Sequence, residues 1–138
     1  MVQFIKSPKW PSGEEKTALN FRSFFKIKKF GEGFVLPKSD LRKHKEAAEK
    51  GWLYAKKEIE SGKWGLVILD EINVAVGLQL LKITVIINFL KKNKNSFTIL
   101  TGRNAPKEFI EIADLATEMK EIKHPYQRGI VAKKGAEY

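Results

Sequence analysis

The sequence predicts an α/β domain with a mainly parallel sheet, and two observations carry that prediction. Short apolar runs with strand propensity, at residues 2–5, 66–69 and 97–100, alternate with segments of helical periodicity. The run at 66–69, Leu-Val-Ile-Leu, is unbroken rather than alternating, which predicts a strand buried on both faces of a parallel sheet covered by helices. At 138 residues, with 43% apolar and 30% charged side chains, the chain suits one domain spanning 1–138 with a proper core.

In order, residues 2–5 read as a strand and 6–13 as a Pro/Gly/Ser loop. Gly13-Glu14-Glu15-Lys16-Thr17 has the outline of a phosphate-loop tail and fails the test. GxxxxGKS/T needs glycines where Trp10 and Glu15 stand, and two glutamates repel phosphate. Residues 18–25 read as a short helix, 24–30 as a strand with alternate lysines, and 31–37 as a turn-rich loop with apolar side chains. A long helix is expected over 39–61, with Ser39 as N-cap, Gly62 as its stop, and Leu41, Ala48, Trp52, Ala55 and Ile59 as one core-facing stripe. After the 66–69 strand, 72–81 contains Gly77 and is expected to begin irregularly. Residues 82–92 have strand propensity in Ile83-Thr84-Val85-Ile86-Ile87. They read as a helix because Val85, Ile86, Phe89 and Leu90 share a face and parallel strands need a crossover. A strand at 97–100, a helix from Pro106 to Ala113, a strand at 115–122, a turn at His124-Pro125-Tyr126 and a basic strand or tail at 129–138 complete the chain.

The formal net charge is +10, but the lysines are dispersed among glutamates and only Arg22, Arg42, Arg103 and Arg128 are arginines. That pattern fits a solvated surface better than a nucleic-acid interface, which is kept only as an alternative: a basic nucleic-acid-associated protein whose binding would be salt-sensitive and unselective. There are no cysteines, so disulfides and thiolate chemistry are excluded. No apolar run approaches the roughly 20 residues of a membrane span, and the first residues lack a signal-peptide layout, so a cytoplasmic protein is expected.

The chemistry-bearing residues lie where strands end. Asp70 and Glu71 follow the 66–69 strand, at the carboxyl edge where open α/β sheets bind ligands. An apolar strand followed by Asp-Glu has the look of a Walker-B segment, whose acids hold the magnesium of a nucleotide; it is equally compatible with a core strand and two solvated acids. Thr101, Gly102 and Arg103 end the next strand and are expected at the same edge.

The ordered series of landmarks resembles the ATP:corrinoid adenosyltransferases. These are Val2-Gln3-Phe4-Ile5-Lys6, Gly31-Glu32-Gly33-Phe34, Leu69-Asp70-Glu71-Ile72-Asn73, Leu100-Thr101-Gly102-Arg103, Ile112-Ala113-Asp114-Leu115, Thr117-Glu118-Met119, Lys123-His124-Pro125-Tyr126, Gly129-Ile130 and the ending from Ala132 to Tyr138. The resemblance implies a P-loop NTPase-like three-layer fold, usually dimeric. It implies transfer of the 5′-deoxyadenosyl group of ATP to Co(I) of a corrinoid (cob(I)alamin or cob(I)yrinic acid a,c-diamide), with Mg²⁺ and a flavoprotein reductase as electron source. Carried onto this sequence, it implies Glu71 with Asp70 as magnesium and phosphate acids, Thr101, Gly102, Arg103 and Lys6 on the nucleotide side, and Phe34 in the corrinoid pocket. His124 is expected to stabilise a turn rather than ligate cobalt.

Two departures stand out. Leu36 occupies the place of the family's second pocket aromatic, a tryptophan. The family's opening strand, glycine-rich loop of the type GNGKGKTT and first helix have no counterpart in these residues, so the chain reads as N-terminally truncated. Without that loop, a catalytically impaired corrinoid- or nucleotide-binding homologue is the alternative reading. The absent strand is expected to leave the edges at 2–5 and 66–69 unpaired and an apolar surface uncovered, with 129–138 as the segment to fill the gap.

Overall fold

The computed structural model describes residues 1–21, 23–33, 35 and 40–131. Four strands, β1 (Val2–Phe4), β2 (Lys28–Phe30), β3 (Leu66–Asp70) and β4 (Phe97–Leu100), form one sheet in the order β2-β1-β3-β4. Every neighbouring pair is parallel, so every connection crosses over and the α/β expectation holds. The helices are α1 (Gly13–Ala18), α2 (Leu41–Glu60), α3 (Ile72–Gly77), α4 (Ile83–Lys92) and α5 (Lys107–Ile112), with 3₁₀ turns at Leu19–Phe21 and Pro125–Arg128.

The long helix α2 forms as its periodicity predicts. Ala48, Trp52, Ala55 and Ile59 are buried, but Leu41 at the first turn is half exposed. The N-cap is Asp40, whose carboxylate accepts from the Arg42 backbone N–H at 3.0 Å; Ser39 lies outside the described residues. Gly62 ends the helix with a φ of +62°. Gly51 sits on the buried face because a Cβ there would lie 2.8 Å from Phe30 Cβ and 3.1 Å from Phe4 Cε1. Glycine therefore lets α2 lie directly on β1 and β2.

In a parallel ladder, paired residues share a face. Val2 pairs with Leu69, and Val67 and Leu69 with Thr98 and Leu100, so these residues and Phe4 line the face toward α2. Ile86 and Leu90 of α4 and Phe109 of α5 join the same core, and Trp52 meets Phe89 edge-on at 5.3 Å. Full burial of side chains such as Leu69, Ile59 and Ile86 is worth roughly 1.5–3 kcal/mol each.

The opposite face differs from expectation. It carries Gln3, Lys29, Leu66, Ile68, Asp70, Phe97 and Ile99, and β3 alternates between buried and open rather than being buried on both sides. Leu66 and Ile99 are each 46% exposed and Phe97 81%. The apolar pattern of β3 reported strand propensity correctly, but this face keeps Leu66, Phe97 and Ile99 exposed, and α1 is tied to it at β2. That tie is the buried Lys29 ammonium, which donates to Glu15 at 2.6 Å and to the Trp10 carbonyl at 2.7 Å. The uncovered apolar surface expected from the sequence is thus present.

Other expectations are corrected. The strands at 2–5 and 66–69 are not left as unpaired neighbours of a gap: β1 and β3 pair with each other, and the sheet edges are β2 and β4. The first helix is α1, not 18–25, because Glu14 and Glu15 occupy a first turn and Glu15 Oε2 accepts from the Ser12 N–H at 3.3 Å. β2 spans only three residues rather than 24–30. Residues 72–77 are helical at once, because Glu71 alone turns the chain with a φ of +62°. Residues 115–122 form no strand, and Leu115 and Met119 there are almost fully exposed. Of the 129–138 tail, 129–131 form no strand and 132–138 lie outside the described residues. No helix among the described residues is long and apolar enough to cross a membrane.

Candidate functional site

The carboxyl ends of β3 and β4 are adjacent because the strands pair in register from Leu66 with Phe97 to Leu69 with Leu100. The Thr101 N–H extends this ladder, donating to the Leu69 carbonyl at 3.1 Å. Its hydroxyl donates to Asp70 Oδ1 at 2.9 Å and accepts from the Glu71 N–H at 3.1 Å. Asp70, Glu71 and Thr101 therefore form one continuous polar edge, as their places in the sequence predicted.

Lys6, just beyond β1, lies 3.4 Å from Asp70 Oδ2 and 3.5 Å from Glu14 Oε1, so one ammonium faces two carboxylates. The Glu14 carboxyl is held below its usual range chiefly by its own backbone N–H at the α1 start, against some burial, with Ser12 and Lys6 adding to the shift. Gly102 adopts a φ of +122°, and a Cβ there would sit 3.1 Å from Asn73 Cβ and 3.2 Å from Glu71 Oε2. Glycine is thus required for this turn to approach the acids. Arg103 is exposed on the same turn and makes no ion pair among the described residues. Phe34 and Leu36 lie outside the described residues, but the root of their loop is placed: the Gly33 N–H donates to the Ile5 carbonyl at 2.9 Å, at the carboxyl end of β1.

Two residues absent from the sequence-derived site belong to its framework. Gln3, 1% exposed, donates through Nε2 to Asp70 Oδ2 at 3.1 Å. Asn73, 4% exposed, ties the Thr101–Gly102 turn to α3: its N–H donates to the Thr101 carbonyl at 3.2 Å and its Nδ2 to the Gly102 carbonyl at 2.9 Å. The available signal was a lone amide inside an apolar strand and an amide two residues after the acid pair. His124 behaves as expected: Nδ1 accepts from the Tyr126 N–H at 3.1 Å and caps the 3₁₀ turn.

Two carboxylates and a hydroxyl are hard oxygen donors that suit Mg²⁺, which is commonly held by one or two carboxylates together with substrate phosphates and water. Among the described residues no cluster of three or more His, Cys, Asp or Glu forms a self-sufficient metal cage. A cavity of about 160 Å³ lies at the other end of the sheet, against Met1, Phe24, Gly65 and Leu66, away from these donors. The polar edge of Asp70, Glu71 and Thr101 is separate from that cavity.

A parallel α/β sheet with Asp-Glu after one strand and Thr-Gly-Arg after its neighbour puts these residues at the edge where open α/β sheets bind ligands. The comparisons narrow the class: residues 1–138 match the family described as ATP:corrinoid adenosyltransferase BtuR/CobO/CobP, and the chain belongs to that family. A corrinoid adenosyltransferase of Sinorhizobium sp. is 39% identical over 140 residues, covering 100% of this chain and 65% of the relative. Another, from Pseudomonas aeruginosa, is 34% identical over 139 residues, covering 100% and 68%. A third, from Escherichia coli K12, is 27% identical over 139 residues, covering 100% and 69%. The chain thus spans about two thirds of the length of these relatives.

Proposed function

We propose that this domain acts in an ATP:corrinoid adenosyltransferase, serving the transfer of the 5′-deoxyadenosyl group of ATP to the cobalt of a reduced corrinoid in adenosylcobalamin formation. The observation that carries this reading is the Thr101 hydroxyl, which links Asp70 and Glu71 to the end of β4 at the ligand-binding edge of the sheet. In the reaction the electron pair of Co(I) attacks C5′, the C5′–O bond breaks, and its pair leaves with tripolyphosphate. The nucleophile needs no activating base, so the protein's tasks are to hold the nucleotide in line and neutralise the leaving polyphosphate.

Asp70 and Glu71 are the residues to hold Mg²⁺, which when bound supplies charge neutralisation at the phosphates. Thr101 and the Gly102 turn present the nucleotide side, and Lys6 and Arg103 add positive charge there. Phe34 and Leu36 are assigned to the apolar corrinoid pocket, where excluding a lower axial ligand eases reduction of cobalt. The reading extends to a cytoplasmic homodimer served by a flavoprotein reductase.

The test mixes the protein anaerobically with chemically reduced cob(I)alamin and Mg-ATP and follows the light-sensitive Co–C product. Asp70→Asn with Glu71→Gln should lower the rate about a hundredfold, the scale set by removing a preorganised charge contact. An unchanged rate in a folded double variant would refute the assignment.

A further inference from the structure

Gln3 is an expensive residue for its position. It lies in the middle of β1 between the buried Val2 and Phe4 and is itself 1% exposed. Its Nε2 donates to Asp70, yet its Oε1 is buried without a hydrogen-bond partner. A leucine of similar size would fill the space and leave no orphaned acceptor, so stability alone does not favour the amide. Its orientation follows from its neighbour, since the flipped amide would set oxygen against the Asp70 carboxylate.

The Gln3 contact is half of a clamp. Gln3 holds Oδ2 of Asp70 from β1, while Thr101 holds Oδ1 at 2.9 Å from the end of β4. Donors on both oxygens, from the two strands that flank β3, fix the rotation of the carboxylate plane. Lys6 is a weaker constraint: its side chain is 44% exposed and its ammonium divides between Asp70 and Glu14. We propose that Gln3 is a positioning residue for the acid pair, orienting Asp70 so that a hard divalent cation carried by a nucleotide meets a carboxylate already in place. This rests on the assignment of Asp70 and Glu71 to that cation.

The test measures Mn²⁺ binding in the presence of ATP, from the electron-paramagnetic signal of the free ion, alongside thermal melting. Gln3→Leu should melt at or above the parent temperature yet bind Mn²⁺ about tenfold more weakly, as typically follows loss of an outer partner of a metal-binding carboxylate. In an Asp70→Asn background the same change should cost nothing further. A second readout needs neither metal nor a folded Gln3→Leu: the Gln3 side-chain amide signals in nitrogen–proton NMR should exchange slowly and shift on Asp70→Asn. Full Mn²⁺ affinity in Gln3→Leu, while Asp70→Asn loses it, overturns the role of Gln3 alone. Amide signals indifferent to Asp70→Asn do the same. Unchanged binding in both Asp70→Asn and Glu71→Gln overturns the acid-pair assignment, and this inference with it.

Discussion

The two faces of the sheet are built from similar side chains and end in opposite conditions. Toward α2, Leu69, Val67, Val2 and Phe4 are at most 3% exposed; on the other face Leu66, Ile99 and Phe97 range from 46% to 81%. Leu66 and Leu69 belong to the same five-residue strand. Residue type therefore decides neither face; the presence of a helix above it does. The buried strand residues on the second face are polar: Gln3 and Lys29 are both under 9% exposed. One face supplies stability, and the other carries the groups that arrange the carboxylate edge.

The sharpest way to break this comparison is to cut the same side chain on both faces. Leu69→Ala should destabilise by about 2–5 kcal/mol, because the core cannot fully collapse around the lost atoms. Leu66→Ala should cost under about 1 kcal/mol. Urea unfolding of both variants decides it, and equal losses would show that the second face is covered in solution.

Next in size is the ion pair on the second face. Lys29→Met removes both contacts of a buried ammonium and should cost about 1–3 kcal/mol, the upper range for a buried pair being reduced because Glu15 remains a third exposed to water. A melting temperature matching the parent would mean that α1 is anchored some other way.

Clearance above the first face can be probed with glycines. Gly51→Ala should cost about 1–3 kcal/mol, since its methyl would press on Phe30 and Phe4. Gly77→Ala meets nothing within 4 Å at a helix end and should gain about 0.4–1 kcal/mol. Opposite shifts in thermal melts are expected.

The smallest effect is a pH dependence at the amino end of the sheet. Burial opposes ionisation of Glu58, but hydrogen bonds from Tyr54, Trp64 and Lys26 outweigh it, so its carboxyl lies below the ordinary 4.5. A depressed folded pKa contributes stability that is present above the unfolded value and lost as pH falls through the folded one. Stability should therefore decline below about pH 4.5, and Glu58→Gln should make that decline shallower.

Much of this architecture was legible in the residues. β3, β4, α2 and α4 announce themselves because runs such as Leu66 to Leu69 and the Ala48-Trp52-Ala55-Ile59 stripe are strong local signals. Asp70, Glu71 and Thr101 could be placed together because parallel strands bring their carboxyl ends to one edge. Three features could not be read. An apolar strand does not declare which of its faces a helix will cover, so the exposure of Leu66 was missed. Order in the 6–21 region depends on Ser12, Glu15 and Lys29 meeting across the fold. The local signals of Gln3 and Asn73, an amide in an apolar strand and one just past the acid pair, do not reveal their roles, since Gln3 bonds Asp70 and Asn73 bonds Gly102, each distant in sequence from its partner.

Glu71 joins β3 to α3 as a single residue in the left-handed region, where a side chain is disfavoured and glycine or asparagine is at ease. If Glu71 serves the proposed function, folding and ligand chemistry select different residues at this one position. In a saturation library sorted first for protease resistance, glycine and asparagine would be enriched at position 71. A second sort for nucleotide–metal capture would remove them and return glutamate, making the position a recorder of which selection a lineage had passed through.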